Sequence, residues 1–198
     1  SITITQANNL SGATTGKVTA TIADDSLADL IGGSGINADT GNDGGDINAF
    51  TVTLTDTSVS AADLATLDAR TSGTINLNDV TTLTGTLTEL KAFIVAEDNF
   101  GNKSGISTIS VSAENIDGAG GRGSVAELVT FHTDIRDSVG DGFNANAVIN
   151  LTNVALLSGG VSDLLSAIAL TDITGISGTD IAITCLLYTS DAADEGSS

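Results

Sequence analysis

Two consecutive segments of the chain follow one plan: TVTLTDTSVSAADLATLDARTSG at residues 51–73 and TINLNDVTTLTGTLTELKAFI at residues 74–94. Each begins with alternating apolar and polar residues, which predicts a β-strand with one buried face. Each then reaches a Ser or Thr followed three residues later by an acid, which predicts the start of a helix. The fold is therefore predicted to be built from a repeated strand–helix unit.

The hydroxyl–acid phrase recurs along the chain, and Leu always follows the acid. Four copies begin with a hydroxyl residue and a fifth has glycine in that position: Ser26, Ser60, Thr86, Ser124 and Gly160. The hydroxyl accepts from an unpaired backbone N–H of the first helical turn, and the acid reaches back to the cap residue. Successive copies are 34, 26, 38 and 36 residues apart. Such spacing indicates an array of about five similar units over residues 1–184.

The alternation of apolar and polar residues in the strands favours one architecture over others. Tandem strand–helix units imply parallel strands joined by right-handed connections. Strands buried on both faces would be continuously apolar, whereas these alternate, so one face is expected to be polar. We therefore predict an α/β solenoid with a one-sided parallel sheet. The strands of an antiparallel, Ig-like β-sandwich with short helices also alternate between apolar and polar residues. This architecture remains the alternative, because residues 92–111 look like a hairpin.

The sequence argues against nucleic acid as a partner and against a membrane-spanning segment. The chain of 198 residues has 25 acidic and 6 basic residues, a formal net charge of −19. Such a charge repels phosphate backbones, so nucleic acid is not an expected partner, and it attracts divalent cations. No apolar run is long enough for a membrane span.

One acidic loop is the candidate metal site. Residues 37–46 combine Asn, Asp and Gly, with carboxylates at Asp39, Asp43 and Asp46. Ca²⁺ takes six to eight oxygen ligands from flexible loops, so these three residues are its candidate ligands. The spacing differs from that of an EF-hand, and a solvated turn is the alternative interpretation. No other cofactor is expected.

Two further features resemble catalytic motifs. The segment from Gly118 to Gly123 matches G-x-G-x-x-G between a strand and a helix, but its acidic surroundings disfavour pyrophosphate. His132 is the only histidine, and no nucleophile or orienting partner is signalled beside it. We therefore expect a protein without enzymatic activity.

The phrases at residues 53–68 and 79–86 resemble tandem repeats of giant secreted and surface proteins of bacteria, notably marine cyanobacteria, which often carry RTX-type calcium-binding repeats elsewhere. The resemblance implies an extracellular or cell-surface location and a structural or interaction role. The expected partners are neighbouring repeats of the parent chain and a cell-surface glycan or protein. The alternative function is a Ca²⁺-dependent, adhesin- or lectin-like binding module.

The end of the chain differs from the rest. Residues 185–195, CLLYTSDAADE, resemble a translated sequencing adapter of the kind found in metagenomic reading frames, and they hold the only Cys and the only Tyr. We therefore interpret residues 185–198 as an artefactual or disordered tail. The remainder is interpreted as a fragment of a longer protein.

Overall fold

The computed structural model describes residues 1–37, 47–95, 99–137 and 143–184, and it is an α/β structure with parallel sheets. Its α-helices are α1 (Ile4–Ala13), α2 (Leu27–Ile31), α3 (Ala61–Asp68), α4 (Leu87–Val95), α5 (Val125–Asp137) and α6 (Val161–Ile168). Its strands are β1 (Thr19–Thr21), β2 (Ala49–Thr53), β3 (Ser58–Ser60), β4 (Ile75–Asn76), β5 (Thr82–Gly85), β6 (Phe100–Gly101), β7 (Thr108–Val111), β8 (Asn115–Ile116), β9 (Val148–Asn150), β10 (Leu156–Gly159), β11 (Ile173–Thr174) and β12 (Asp180–Ile183).

Helices α2 to α6 begin directly after the five positions at which the sequence predicts caps. The residue after each cap and the Leu after each acid are largely buried in the first four of these helices. The first turn of α2 to α5 is thus stabilised by local side-chain hydrogen bonds, and the apolar side of each of these helices is buried.

Every pairing between described strands is parallel. The antiparallel Ig-like sandwich is therefore wrong for this part of the chain. The segment that looked like a hairpin contains β6 and β7, which pair with β4 and β5 and not with each other. The alternation of apolar and polar residues is instead explained by parallel strands that each bury one face.

The strands form three sheets and not the single one-sided sheet that the sequence predicts. The orders are β1-β2-β4-β6, then β11-β9-β7-β5-β3, then β12-β10-β8. The difference arises because most units contain a second strand directly before their helix. Asp79 lies at the bend between β4 and β5, where the apolar spacing of the sequence changes from two to three.

The five-stranded sheet buries one residue from each strand in a continuous row. The members of this row are partners in register along the sheet: Val59, Leu83, Ile109, Ile149 and Ile173. All are buried. Full burial of such a side chain contributes about 1.5–3 kcal/mol, so the row is a main source of cohesion between successive units.

Two similar phrases, INLNDVTTLTG and INLTNVALLSG, occupy different sheets. Residues 75–85 and 149–159 each form a strand, a turn and a second strand. However, β4 lies in the four-stranded sheet, whereas β9 pairs with β7 in the five-stranded sheet. The extra strand β8, which precedes α5, accounts for the shift, because β10 pairs with β8.

The N-terminal residues depart from the prediction. The alternation of residues 2–4 is typical of a short strand, but in this segment only Ile2 makes a bridge, to Ile22. Helix α1 begins at Ile4, with a capping box in which Thr3 accepts from the backbone of Gln6 and the Gln6 side chain accepts from the backbone of Thr3. A Thr-x-x-Gln phrase was present in the sequence and signals this helix.

Candidate functional site

In α4 and α5 the acid of the recurring phrase caps the helix. Thr86 donates its N–H to Oε2 of Glu89 at 2.8 Å, and Glu89 donates its N–H to Oγ1 of Thr86 at 3.2 Å. Ser124 and Glu127 form the same reciprocal pair at 2.9 and 3.2 Å. These carboxylates occupy the positive ends of their helices, where a bound phosphate would otherwise be stabilised.

Two further carboxylates cap a helix of the preceding unit. Asp56 accepts from the backbone N–H of Leu27 at 2.6 Å, and Glu114 accepts from that of Leu87, also at 2.6 Å. Leu27 and Leu87 are the first residues of α2 and α4. The start of α4 is thereby capped twice, by Glu89 from the helix itself and by Glu114 from the next unit along the chain.

The glycine loop at residues 118–123 is closed by its own ion pair. Arg122 donates through Nε and Nη2 to the two oxygens of Asp117, at 3.0 and 2.8 Å. Hydrogen bonding from Arg122 lowers the pKa of Asp117 below its usual value. Since Glu127 also occupies the start of α5, the loop offers a dinucleotide phosphate no vacant helix N-terminus.

His132 lies in α5 beside an ion pair. Arg136 contacts Oδ2 of Asp172 at 2.5 Å, and Nε2 of His132 is 3.8 Å from the same oxygen. The Nε2 atom is buried and has no hydrogen-bond partner. Burial, followed by repulsion from Arg136, lowers the pKa of His132 despite the opposing effect of Asp172. Within the part of the chain that the structure describes, no hydroxyl or thiol group is hydrogen-bonded to Nε2 of this imidazole.

A small apolar groove lies between α3 and α4. Its cavity measures about 140 Å³ and is lined mainly by alanine side chains with Phe93 and Phe100, while Asp68 and Glu89 also reach it. Both carboxylates are engaged, because Asp68 accepts from Asn99 at 2.8 Å and Glu89 caps α4. The groove therefore presents a largely apolar wall and not a converging set of reactive groups.

The candidate calcium ligands Asp39, Asp43 and Asp46 lie outside the described residues. Within residues 1–37, 47–95, 99–137 and 143–184, no group of three or more His, Cys, Asp or Glu side chains is arranged to hold a metal ion. The structure thus leaves the calcium expectation as a sequence-based prediction.

The outward side of the five-stranded sheet carries a regular array of mainly polar side chains, and we call it the polar strand face. Its side chains flank the buried row and are stacked in register, with Val148 as the apolar member: Ser58, Ser60, Thr82, Thr84, Thr108, Ser110, Val148, Asn150 and Thr174. Neighbouring strands are about 4.8 Å apart, so hydroxyl groups repeat at this spacing across the sheet. None of these residues is charged, although the chain has a net charge of −19.

Side-chain bonds on this face run between neighbouring strands. Thr84 donates to the carbonyl of Val59 at 3.2 Å, and Thr174 donates to that of Ile149 at 3.5 Å. These bonds hold part of the hydroxyl groups in place, as expected for a rigid surface. The sequence analysis predicted a polar face from alternation but not its division between sheets.

No protein-family model, curated protein or solved structure gives a significant match to the chain. Among the described residues, no helix combines the length and the apolar character needed to cross a bilayer.

Proposed function

We propose that this chain is a non-catalytic structural and interaction segment of a large extracellular bacterial surface protein. Its strand–helix units stack as a solenoid, and the polar strand face serves as a contact surface. The observation that carries the proposal is the continuous buried row from Val59 to Ile173, which joins five strands in one register. In such a stack each unit contacts mainly its neighbours along the chain.

The positions of the acids support a role without catalysis. Catalytic carboxylates act through oxygens that face a substrate. Four acids at the helix starts bond instead to backbone N–H groups: Asp56, Glu89, Glu114 and Glu127. These hydrogen bonds give the four acids a structural role at the helix starts. The single histidine likewise lies beside an ion pair, and among the described residues its Nε2 has no hydrogen-bond partner.

The chemistry of the polar strand face supports a neutral, hydroxyl-rich partner such as a cell-surface glycan. A surface composed mainly of Ser, Thr and Asn offers both donors and acceptors at a regular spacing, and it avoids the desolvation of charge. The face belongs to a rigid sheet, so little conformational entropy is lost when it binds. The resemblance to giant bacterial surface proteins favours the same extracellular setting.

A cell-adhesion assay tests this proposal. Beads coated with the chain are expected to adhere to bacterial cells, and Thr108→Lys or Ser110→Lys on the polar strand face is expected to reduce adhesion at least fivefold. The matched control is Ala126→Lys, which puts the same charge on an exposed position of α5. Adhesion that is equal for all variants, or absent for the unmodified chain, contradicts a role of this face in contact. Circular dichroism of each variant confirms that the fold is kept.

The acidic loop favours a second candidate, a Ca²⁺-dependent adhesin. In this alternative Asp39, Asp43 and Asp46 bind Ca²⁺, which either rigidifies the loop or bridges to a glycan. The test is thermal unfolding and adhesion with 1 mM Ca²⁺ or with a chelator, on the order of the affinities of extracellular calcium modules. A rise in Tm that Asp43→Asn abolishes supports this candidate, and an unchanged Tm excludes it.

A further inference from the structure

The groove between α3 and α4 has the size and the lining of a site for a small ring. Its cavity measures about 140 Å³, and its apolar wall is formed by six side chains: Ala61, Ala62, Ala65, Ala92, Phe93 and Phe100. A cavity of about 150 Å³ is large enough for one benzene ring. The two phenylalanine rings are buried and lie 4.8 Å apart, so the hydrophobic core holds this part of the wall in place.

Two carboxylates border this apolar wall, and no basic side chain neutralises them. Asp68 accepts from Nδ2 of Asn99 at 2.8 Å, and Glu89 accepts from the backbone N–H of Thr86 at 2.8 Å. Both donors are neutral groups. All six Lys and Arg residues of the chain lie within the described ranges, and none of them forms an ion pair with either carboxylate. The groove is therefore bordered by negative charge that the chain itself does not offset.

The basic residues of the chain are placed elsewhere. Arg70 is only two positions after Asp68, yet it donates to the carbonyl of Ile36 at 2.8 Å. The side chain of Lys103 is buried, and Lys17 is exposed near the N-terminal end of the chain. The other three basic residues form ion pairs with other acids: Lys91 with Glu127, Arg122 with Asp117, and Arg136 with Asp172. The charge at the groove is thus left for a cation from outside the chain.

Of the two carboxylates, Asp68 is the better partner for a cation. Glu89 lies at the start of α4, where the positive end of the helix dipole already offsets its charge. Asp68 is the last residue of α3, where the dipole is negative, and the last turn of this helix contains no basic residue. A cation beside Asp68 is therefore attracted both by the carboxylate and by the helix end.

We infer that the groove between α3 and α4 binds a small organic ammonium ion that carries one apolar ring. The ammonium group lies beside Asp68, and the ring lies against the alanine and phenylalanine side chains. The aromatic wall favours a cation over a neutral molecule of the same shape. The net charge of −19 attracts such a ligand and repels an anionic one. The described residues that line the groove are not part of the polar strand face, so the inference does not depend on the proposed function.

The carboxylates also argue against a purely apolar occupant. A neutral hydrocarbon ring would remove water from Asp68 and offer no hydrogen bond in return, which costs free energy. An ammonium group supplies three N–H donors to the same carboxylate. The ring and the charge of the ligand are therefore both matched by the groove.

Benzylammonium is the probe, because it joins one ring to one ammonium group through a single methylene. An NMR titration of the full chain at neutral pH compares it with benzyl alcohol, a neutral analogue, and with benzoate, an anionic one. Benzylammonium is expected to bind about fivefold more tightly than benzyl alcohol, and benzoate is expected not to bind. Equal affinity for benzylammonium and benzyl alcohol overturns the inference, and so does the absence of benzylammonium binding.

Asp68→Asn tests where the ammonium group lies. This variant is expected to weaken benzylammonium binding about fivefold and to leave the binding of benzyl alcohol nearly unchanged. The matched control is Asp63→Asn, which removes the same charge from an exposed position of α3 that does not line the groove. An equal loss in both variants would attribute the attraction to net charge and overturns the inference.

Ala65→Leu tests whether the ring lies in the groove. The larger side chain fills the cavity and is expected to abolish binding, whereas Thr66→Leu, at the next exposed position of α3, is expected to leave binding unchanged. Circular dichroism of both variants confirms that the fold is kept. Binding that survives Ala65→Leu overturns the inference. A lysine-containing peptide that binds more tightly than benzylammonium, and that Asp68→Asn releases, also overturns it, in favour of a protein partner.

Discussion

The backbone of Gly123 lies directly against the side chain of Leu87, from the start of the preceding helix. A Cβ at Gly123 would lie 2.9 Å from both Cβ and Cγ of Leu87 and would collide with Cδ2. The backbone of Gly123 is not in the left-handed region. The need for glycine at this position therefore comes from close packing and not from the backbone conformation. Two successive units therefore meet at a point where no side chain fits.

Gly123→Ala is expected to destabilise the chain by about 1–3 kcal/mol, because the added methyl group forces the units apart. Thermal unfolding followed by circular dichroism measures the change. Gly33→Ala is the control, since nothing lies within 4 Å of a Cβ at that position. In the double variant with Leu87→Ala the cost of the added methyl group should fall. Additive costs would show that the contact is not responsible.

Gly160→Ser is expected to stabilise the chain by about 0.5–1 kcal/mol, because it supplies the missing cap and restricts the unfolded chain. Gly160 caps α6 without a side-chain hydrogen bond, and its φ of −64° suits any residue. Chemical denaturation measures the gain. Gly160→Ala is the comparison, because it restricts the chain but offers no acceptor. Equal stability of the Ser and Ala variants would mean that the hydroxyl does not cap.

Glu114→Ala is expected to cost about 1.5–3 kcal/mol, since it removes a charged acceptor from the first N–H of α4. The bond joins Glu114 to the backbone of Leu87 at 2.6 Å. Urea denaturation provides the measurement. Asp24→Ala removes an exposed acid that makes no side-chain hydrogen bond to another described residue, and serves as the control for net charge. A similar loss in both variants would attribute the effect to charge alone.

The stability of the chain is expected to fall as the pH drops from 7 to 5, in part because of His132. Burial lowers the pKa of His132 in the folded state, so the unfolded state binds the proton more readily. The penalty is absent above the ordinary pKa near 6.5 and grows below it. His132→Gln should flatten the pH profile measured by urea denaturation in this window. An unchanged slope would show that the histidine does not contribute.

The helix starts were predictable from sequence because a cap is a local interaction. Ser124 and Glu127 are three residues apart, and their hydrogen bonds need no distant partner. The strand alternation was equally readable, since it reflects one buried face. Helix α1 was missed although Thr3 and Gln6 form a capping box, because the alternation beside it suggested a strand.

The candidate site was less predictable. Alternation indicated a polar face, but the stacking of Thr84 against Ser110 depends on strand pairing, which no local pattern specifies. The bond from Asp56 to the start of α2 spans 29 residues, so its role emerges only when the units are stacked. The ion pair of Arg136 with Asp172 is equally remote in sequence.

The sequence by itself determined the places where helices begin and the face that each strand buries, because hydrogen bonds over three residues and a period of two are encoded locally. Tertiary structure decided which strands pair. The phrases at residues 75–85 and 149–159 form the same local elements, yet β4 and β9 lie in different sheets. The physical reason is that the additional strand β8 changes the pairing of the strands that follow it. Backbone hydrogen bonds between strands do not depend on which side chains the strands carry, so the sequence pattern alone does not specify the pairs.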